Sequence, residues 1–313
     1  MTLNLLASVP EGIVLCADSM LTLNTPGPDG LVTTTFANAE KLVALGANIP
    51  AAAMVSGQGA LLGEVLNITL RRASSAIDAN HFASDANGVE SAVESIVGEL
   101  YERALAQFKL DLAAQWSQPG QIELVNKSRT DRGLPEVVTI GPERIKIIDD
   151  PAGPANSQDW DVEAEYGLTI VVASFFVDPR AVAIAWPGAR RTVCVPGAPL
   201  WWWGSGGSSV ARLIRGFDAG LAQRLAANGD VDAQHIVRIT TTRGDYAMPT
   251  PISAMPLQDA VEFAEFLGQV SCGYDRFTAG PPSVGGCLDV MVLRQGERQW
   301  IQQKRIHSSL NYG

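Results

Sequence analysis

The sequence predicts an α+β fold in which two antiparallel β-sheets are stacked between layers of helices, a four-layer αββα sandwich. Three patterns favour this architecture. Residues 2–18 contain an alternating apolar and polar segment, a turn and a second apolar segment, which is typical of a β-hairpin. Residues 57–72 and 89–116 carry apolar side chains at helical spacing and predict two consecutive helices. Residues 166–195 predict three further strands, which are expected to build the second sheet.

The N-terminal hairpin begins directly after the initiator methionine. Pro10 and Gly12 supply its turn, and its second strand ends at Asp18. Because Met1 precedes a small residue, it is expected to be removed, which would leave Thr2 as the first residue. An N-terminal threonine carries a hydroxyl and an α-amine on one carbon skeleton. Such a residue is a nucleophile with its own base.

The segment between the hairpin and the first helix is predicted to contain a loop and three short strands. Residues 21–35 are rich in proline and glycine, so we expect an extended loop that overhangs Thr2 and ends in a short threonine-rich strand. Lys41 then opens an apolar strand, and residues 51–57 form a second strand of mostly small residues facing it.

The rest of the chain is interpreted as part of one domain spanning residues 1–313. Polar composition marks residues 117–165 as an insertion and residues 240–256 as a second extended loop. Three consecutive tryptophans precede a glycine-rich turn at residues 204–207, after which apolar residues continue at helical spacing. A last helix is predicted from about residue 257 to 270.

Several motifs together resemble one known family. They are an N-terminal threonine, an aspartate sixteen residues later, a lysine heading a strand, and a small-residue strand running into SGQGALLG. This set resembles the β-subunits of the proteasome and their bacterial relatives, which are N-terminal nucleophile hydrolases. The GSGG turn and the segment VGGCLDVMVL near the end are also similar to the family. The resemblance covers most of the chain in blocks, separated by material that the family lacks.

The chemistry of this family requires three roles, which Thr2, Asp18 and Lys41 fill. A threonine hydroxyl needs a base within about 3 Å or one water away, and an α-amine with an ordinary pKa of about 7.7–8.0 suits that task. A nearby lysine ammonium lowers the pKa of both groups, and an aspartate keeps the lysine charged and oriented. Each residue alone has an ordinary structural explanation, as a common second residue, a turn residue and a strand-edge charge. Their combination favours catalysis.

The resemblance implies four supporting residues. Ser205 matches a serine that can carry a proton near the N-terminal amine, although a serine between glycines fits an ordinary helix N-cap equally well. The backbone N–H of Ala53, within two residues either way, matches the oxyanion donor. Asp275 and Ser283 correspond to an Asp and a Ser that the family places three residues apart before two glycines. Here Asp275 lies farther upstream than in the family, and Ser283 is one residue closer to the glycines than expected. Either a loop insertion lets both residues converge on Thr2, or this group of supporting residues is altered.

The substrate pocket is expected to be lined by small side chains. Ala51, Ala53 and Val55 would form one side, with Met20 and Leu21 opposite. Such a lining favours an apolar substrate residue.

Composition and charge argue against several classes of function. A net charge of −10, with no basic cluster larger than two arginines, argues against a nucleic-acid partner. The longest apolar run, residues 168–177, is far shorter than the roughly 20 residues that a membrane helix needs. The cysteines have no paired spacing and the histidines are scattered, so neither a metal nor a cofactor is expected. A soluble, cytoplasmic protein is predicted.

The predicted function is that of a threonine-type endopeptidase, which hydrolyses peptide bonds through an ester on Thr2. A small-molecule amidohydrolase with the same nucleophile is one alternative, and a catalytically silent assembly subunit is another. A homo-oligomeric ring is expected from the resemblance, and also because a lone sandwich would leave apolar helices partly exposed. The physiological substrate and any unfoldase partner stay open.

Overall fold

The chain is a mixed α+β structure with antiparallel sheets, as the sequence predicts. The computed structural model describes residues 2–27, 30–36, 38–79, 85–116, 136–139, 145–148, 157–160, 166–204, 206–216, 251–277 and 284–304, with six single residues between them (120, 123, 127, 218, 221 and 225). For residues 22–34 and for the three short ranges between 136 and 160, only the backbone is described.

The described residues form seventeen strands. They are β1 (Asn4–Val9), β2 (Gly12–Asp18), β3 (Leu21–Gly27), β4 (Gly30–Phe36), β5 (Leu42–Ala44), β6 (Ala51–Gly57), β7 (Ala60–Leu61), β8 (Glu64–Val65), β9 (Glu136–Thr139), β10 (Ile145–Ile148), β11 (Ser157–Trp160), β12 (Leu168–Phe175), β13 (Pro179–Trp186), β14 (Arg190–Val195), β15 (Leu200–Trp203), β16 (Leu288–Arg294) and β17 (Glu297–Gln302). The described residues also form four α-helices, α1 (Leu66–Ala79), α2 (Ala86–Trp116), α3 (Gly207–Arg215) and α4 (Leu257–Arg276).

Two five-stranded sheets contain most of these strands. The first sheet has the order β15-β1-β2-β16-β17 and the second has the order β14-β13-β12-β6-β5. All neighbouring strands in both sheets are antiparallel. The N-terminal hairpin is confirmed, because β1 pairs with β2 from Asn4 opposite Ala17 to Val9 opposite Gly12. This pairing places β2, and therefore Asp18 at its end, in the middle of the first sheet.

The two sheets and the helices share three clusters of buried apolar side chains. The first cluster joins the second sheet to α1 and α2, and the second cluster joins the first sheet to α3 and α4. The third cluster contains residues from both sheets, among them Leu6, Leu15, Met54 and Val171. Neighbouring residues of β1 separate as strand geometry requires, since Leu5 belongs to the second cluster and Leu6 to the third.

Residues 21–35 differ in part from the prediction, because the short threonine-rich strand is present within β4 but the segment before it is not a loop. They form most of the hairpin β3-β4, which pairs from Leu21 opposite Phe36 to Gly27 opposite Gly30. The proline and glycine residues that suggested a loop are concentrated at the end of this hairpin, where strand pairing stops. Turn residues therefore mark the tip of the hairpin rather than the whole segment.

The first helix also begins later than the sequence indicates. Residues 57–65 were predicted as helical, but they contain the short pair β7-β8, and α1 starts at Leu66. The turn between these strands has positive φ angles at Leu62 (50°) and Gly63 (79°), which a helix does not allow. The helix predicted over residues 89–116 is confirmed, with an earlier start at Ala86.

Two other predicted segments are described in part. The range 117–165 contains the three-stranded sheet β11-β10-β9. Residues 240–250 of the predicted second loop lie outside the described residues, and Ile252–Ala254 form a turn of 3₁₀-helix. The last helix continues beyond residue 270 to Arg276.

Candidate active site

A buried ion pair between Asp18 and Lys41 links the two large sheets. Lys41 Nζ lies 2.7 Å from Asp18 Oδ1, and the two side chains are 7% and 0% exposed. Asp18 ends β2 in the first sheet, and Lys41 directly precedes β5 in the second. Burial lowers the pKa of Lys41, while the charge and the hydrogen bond of Asp18 act in the opposite direction.

Backbone donors fix the orientation of the Asp18 carboxylate. Leu3 N–H donates to Oδ1 at 2.8 Å. Met20 N–H and Gly285 N–H each donate to Oδ2 at 3.1 Å. With Lys41 as a fourth donor, both oxygens are used, and a buried carboxylate needs such partners to remain charged. The bond to Leu3 also connects this carboxylate to the residue that follows Thr2.

Thr2 is buried and is held by the turn after β15. Gly206 N–H donates to the Thr2 carbonyl oxygen at 3.3 Å. Gly204 has a φ of +91°, and a Cβ atom at this position would lie 1.9 Å from the same oxygen. Only glycine fits here, because the backbone approaches Thr2 too closely for any side chain.

Thr2 and Lys41 line one small cavity. Its volume is about 30 Å³, and other lining residues are Leu21, Val55 and Gly57. A cavity of roughly 10–15 Å³ holds one water molecule, so this one has space for a small group beside the Thr2 side chain. The structure therefore brings Thr2 together with the Asp18–Lys41 pair, as the sequence predicts. Of the five residues expected to line a substrate pocket, Val55 and Leu21 line this cavity, whereas Ala51, Ala53 and Met20 do not.

Ala53 does not line this cavity. Val55 N–H donates to the Lys41 carbonyl at 2.9 Å, and hydrogen-bonded pairs recur every two residues in an antiparallel ladder. Ala53 stands opposite Val43 in this register, so its N–H belongs to the sheet. Its side chain, like that of Ala51, is buried in the first cluster among residues of α1 and α2.

Gly57 of this strand was not predicted from the sequence as a residue of the cavity. It ends β6 and lines the cavity. The N–H groups of alternate residues point to the same edge of a strand, so the Gly57 N–H points to the edge on which Val55 bonds to Lys41. Strand β5 begins at Leu42 and does not extend alongside Gly57. The signal in the sequence is the SGQG segment that follows the small-residue strand.

Asp275 acts on the site through the backbone. Its Oδ2 accepts a hydrogen bond from Val284 N–H at 2.8 Å, and the next residue, Gly285, donates to Asp18. Gly285 O also accepts from Ser19 N–H at 3.2 Å. Asp275 thus holds the segment that contacts Asp18. Ser205 and Ser283 lie outside the described residues.

Lys304 holds the segment that precedes Lys41, which no sequence pattern suggested. Its backbone N–H donates to Asp289 Oδ1 at 2.9 Å, and its Nζ lies 3.3 Å from Asp289 Oδ2. The same ammonium donates to the Ala39 carbonyl. Ala39 N–H in turn donates to the Ser19 carbonyl at 2.8 Å, so this segment is fixed on both sides.

Two thiols near the site are unsuited to nucleophilic chemistry. Burial raises the pKa of Cys16 far above its ordinary value. Burial, followed by the charge of Asp18, raises the pKa of Cys272 to about 11. Because the thiolate is the reactive form, both groups are unreactive near neutral pH. Cys16 packs in the second cluster.

Among the described residues, no group of three or more His, Cys, Asp and Glu side chains could hold a metal ion. None of the helices in this part of the chain has the length and apolar character needed to span a membrane. No protein-family model matches the sequence, and no curated protein matches it.

Proposed function

We propose that this chain is an N-terminal threonine hydrolase that cleaves amide bonds, with a peptide as the first candidate substrate. The observation that carries this proposal is the cavity that Thr2 shares with Lys41, whose ammonium is paired with the buried Asp18. A hydroxyl nucleophile beside a buried cation is the combination that this chemistry needs.

The reaction requires Thr2 to be the first residue of the mature chain. Its α-amine then accepts the proton of the hydroxyl while Oγ attacks the substrate carbonyl. The tetrahedral intermediate collapses when the amine gives this proton to the leaving nitrogen, and an ester on Thr2 remains. Water, deprotonated by the same amine, hydrolyses the ester and restores the hydroxyl. The Lys41 ammonium lowers the pKa of the amine and of the hydroxyl by its charge.

The proposed oxyanion donor is the backbone N–H of Gly57. Ala53 is less suitable because its N–H belongs to the ladder with β5. Gly57 lines the cavity with Thr2, and the alternation of donors along β6 directs its N–H to that edge. Loss of one such donor typically lowers kcat by about 10²–10³-fold.

The finer architecture proposed is the αββα sandwich of the N-terminal nucleophile hydrolases. It is supported by the order of the three apolar clusters, since one contains residues of both sheets and each of the others joins one sheet to two helices. The proposed assembly is a homo-oligomeric ring in the cytoplasm.

A small-molecule amidohydrolase is the second candidate function. The observation that favours it is a cleft of about 690 Å³ that shares lining residues with the Thr2 cavity. This volume lies within the range of about 300–1,000 Å³ that is typical of small-molecule sites. The nucleophile and the mechanism would be unchanged. Turnover of a series of small amides, compared with fluorogenic peptides, distinguishes the two substrates.

A β-lactone electrophile tests the nucleophile. We expect intact-mass spectrometry to show a chain beginning at Thr2, one lactone adduct per chain, and that adduct on Thr2. Thr2→Ser should be labelled, because it keeps the hydroxyl and the amine, and Thr2→Ala should not. Full activity in a chain that retains Met1, or labelling that persists in Thr2→Ala, would contradict the proposal.

A further inference from the structure

The large cleft adjoins the Thr2 cavity on one side of the fold. Its lining includes the end of β4, the start of α1 and the last strand, represented by Phe36, Asn67 and Trp300. Five lining residues are common to the cleft and the cavity: Leu21, Ala39, Glu40, Val65 and Asn67. The same side chains therefore form the boundary of both spaces. A molecule that reaches Thr2 through the cleft would contact them.

Exposed apolar side chains line this cleft. Phe36 is 51% exposed and Val65 is 41% exposed, although large apolar side chains usually become buried on folding. Trp300 adds an aromatic ring from β17. Apolar and aromatic surface in a concave site is the usual lining of a ligand pocket, because the ligand removes this surface from water.

The charged residues of the lining neutralise one another. Arg71 Nη2 donates to both oxygens of Glu40, at 3.0 and 2.9 Å. Lys304 Nζ is paired with Asp289 at 3.3 Å. These two pairs combine two cations with two anions among the residues that line the cleft. Among the described residues of the lining, a charged ligand would therefore meet no excess of opposite charge, and it would lose hydration on binding.

The two spaces differ strongly in size. The cavity at Thr2, about 30 Å³, has space for a hydrogen atom or a methyl-sized group, whereas the cleft, about 690 Å³, accepts a large side chain or ring. A substrate that occupies both spaces therefore has a small side chain next to the reacting carbonyl and a bulky group on the neighbouring residue.

We propose that the cleft binds a neutral amide substrate through a bulky apolar or aromatic group, while a small residue such as alanine or glycine occupies the cavity at Thr2. The inference rests on the proposed function for the assignment of the reacting residue. The recognition by Phe36, Val65 and Trp300 depends on the cleft alone.

Binding to the full-length Thr2→Ala variant tests the proposal, since this variant lacks the nucleophile. The probes are N-acetyl-Phe-Ala-amide, N-acetyl-Lys-Ala-amide and N-acetyl-Glu-Ala-amide, titrated by calorimetry. We expect the Phe probe to bind at least about tenfold more tightly than either charged probe, because it buries an apolar ring in a neutral cleft.

A matched pair of variants locates the binding. Phe36→Ala in the same background should remove the preference for the Phe probe. Val193→Ala should keep it, because Val193 has the same exposure of 51% but lies on β14 and does not line the cleft. Thermal unfolding of both variants should match that of the parent, since both side chains lie at the surface.

Similar binding of the three probes, or a preference that survives Phe36→Ala, would overturn the inference. Failure of the proposed reaction has a different signature. If the Phe probe binds as expected but Thr2 does not react with a β-lactone, the proposed role of the cleft is supported and the hydrolase assignment is wrong. Labelling of Thr2 without a preference for the Phe probe would support the hydrolase assignment and contradict the proposed binding in the cleft.

Discussion

Lys41 Nζ lies 2.7 Å from Asp18 Oδ1 in a position where water reaches neither side chain freely, since they are 7% and 0% exposed. The pair spans the two large sheets and forms part of the surroundings of Thr2. A buried ion pair contributes little net stability, because desolvation offsets its attraction, but removal of one partner is costly. This geometry is therefore better explained by the chemistry proposed for Thr2 than by the stability of the fold.

Lys41→Ala should remove nearly all activity. The ammonium acts on Thr2 by charge, and loss of one preorganised charge typically costs about 10²-fold or more in rate. The variant should also lose about 3–5 kcal/mol of stability, because Asp18 is left buried without its charged partner. Turnover and urea unfolding measure the two effects. Lys109→Ala on α2 is the control for a lysine outside the site.

A double variant separates the two effects of Lys41. Asp18→Asn combined with Lys41→Met removes both charges and should recover part of the stability that Lys41→Ala loses. Recovery is partial because Asn has one acceptor oxygen, whereas the Asp18 carboxylate accepts backbone N–H bonds at both oxygens. The double variant should stay inactive. If the double variant regains wild-type turnover, the ion pair is not part of the catalytic chemistry.

Activity should fall at alkaline pH before an ordinary lysine would lose its proton. Burial lowers the pKa of Lys41, so the ammonium is lost below the usual value of about 10.4. Between the lowered pKa and the ordinary one, the unfolded chain binds more protons than the folded chain. Stability should therefore rise with pH in this window while activity falls.

The difference between wild type and Lys41→Ala isolates this titration. The variant should lack the rise in stability over the alkaline window, as measured by urea unfolding at several pH values. A wild-type pH–rate profile that stays flat up to the ordinary lysine pKa would contradict the assignment.

Local patterns, together with the family resemblance, were sufficient to predict the residues that the structure brings together at Thr2. The hairpin of β1 and β2 follows from alternation and a two-residue turn signal, which placed Thr2 and Asp18 near each other in advance. Lys41 was found because a single charge at the head of an apolar strand is unusual. The helices α2 and α4 were predicted because their apolar spacing persists over several turns.

Contacts between distant parts of the chain could not be predicted in this way. Lys304 contacts Ala39 across a separation of 265 residues, and the Arg298 guanidinium donates to the Leu45 and Ala47 carbonyls at 2.7 and 2.8 Å. Such bonds use backbone carbonyls, which any residue supplies, so the sequence carries no signal for them. The Gly57 position was missed for a similar reason, because a backbone N–H has no side-chain signature.

Asp275→Ala should lower activity about tenfold or more without abolishing it, because Asp275 acts through the segment that orients Asp18. Asp275→Asn keeps one carboxamide oxygen as an acceptor for Val284 N–H and should recover much of the rate. The effect should appear in kcat rather than in KM. An Asn variant as impaired as the Ala variant would indicate that the negative charge of Asp275, rather than its hydrogen bond, is required.

The protein should form a homo-oligomer. Three large side chains are strongly exposed in the single chain: Phe266 and Tyr274 on helix α4, and Phe277, which directly follows the helix. Exposed apolar residues along one helix are typical of an interface between subunits. Light scattering at micromolar concentration should give a mass that is a multiple of 33.2 kDa. A single species with the monomer mass would contradict this prediction.

Gly204→Ala should disrupt the site more severely than other glycine substitutions in the same backbone conformation. Gly204 has a φ of +91°, and an added Cβ would lie 1.9 Å from the Thr2 carbonyl oxygen, so either Thr2 or the turn must move. A displacement of about 1 Å at a reacting group can cost about 10²-fold in rate. We therefore expect loss of both turnover and β-lactone labelling of Thr2.

Gly296→Ala is the matched control for Gly204→Ala. Gly296 also has a positive φ, +76°, but an added Cβ would meet no atom within 4 Å. This variant should lose only the roughly 1–2 kcal/mol that a left-handed conformation costs a residue with a side chain, and Thr2 should react at the wild-type rate. The comparison removes backbone strain as an explanation, because both substitutions introduce it. Equal labelling rates in the two variants would mean that the contact between Gly204 and Thr2 does not position the nucleophile.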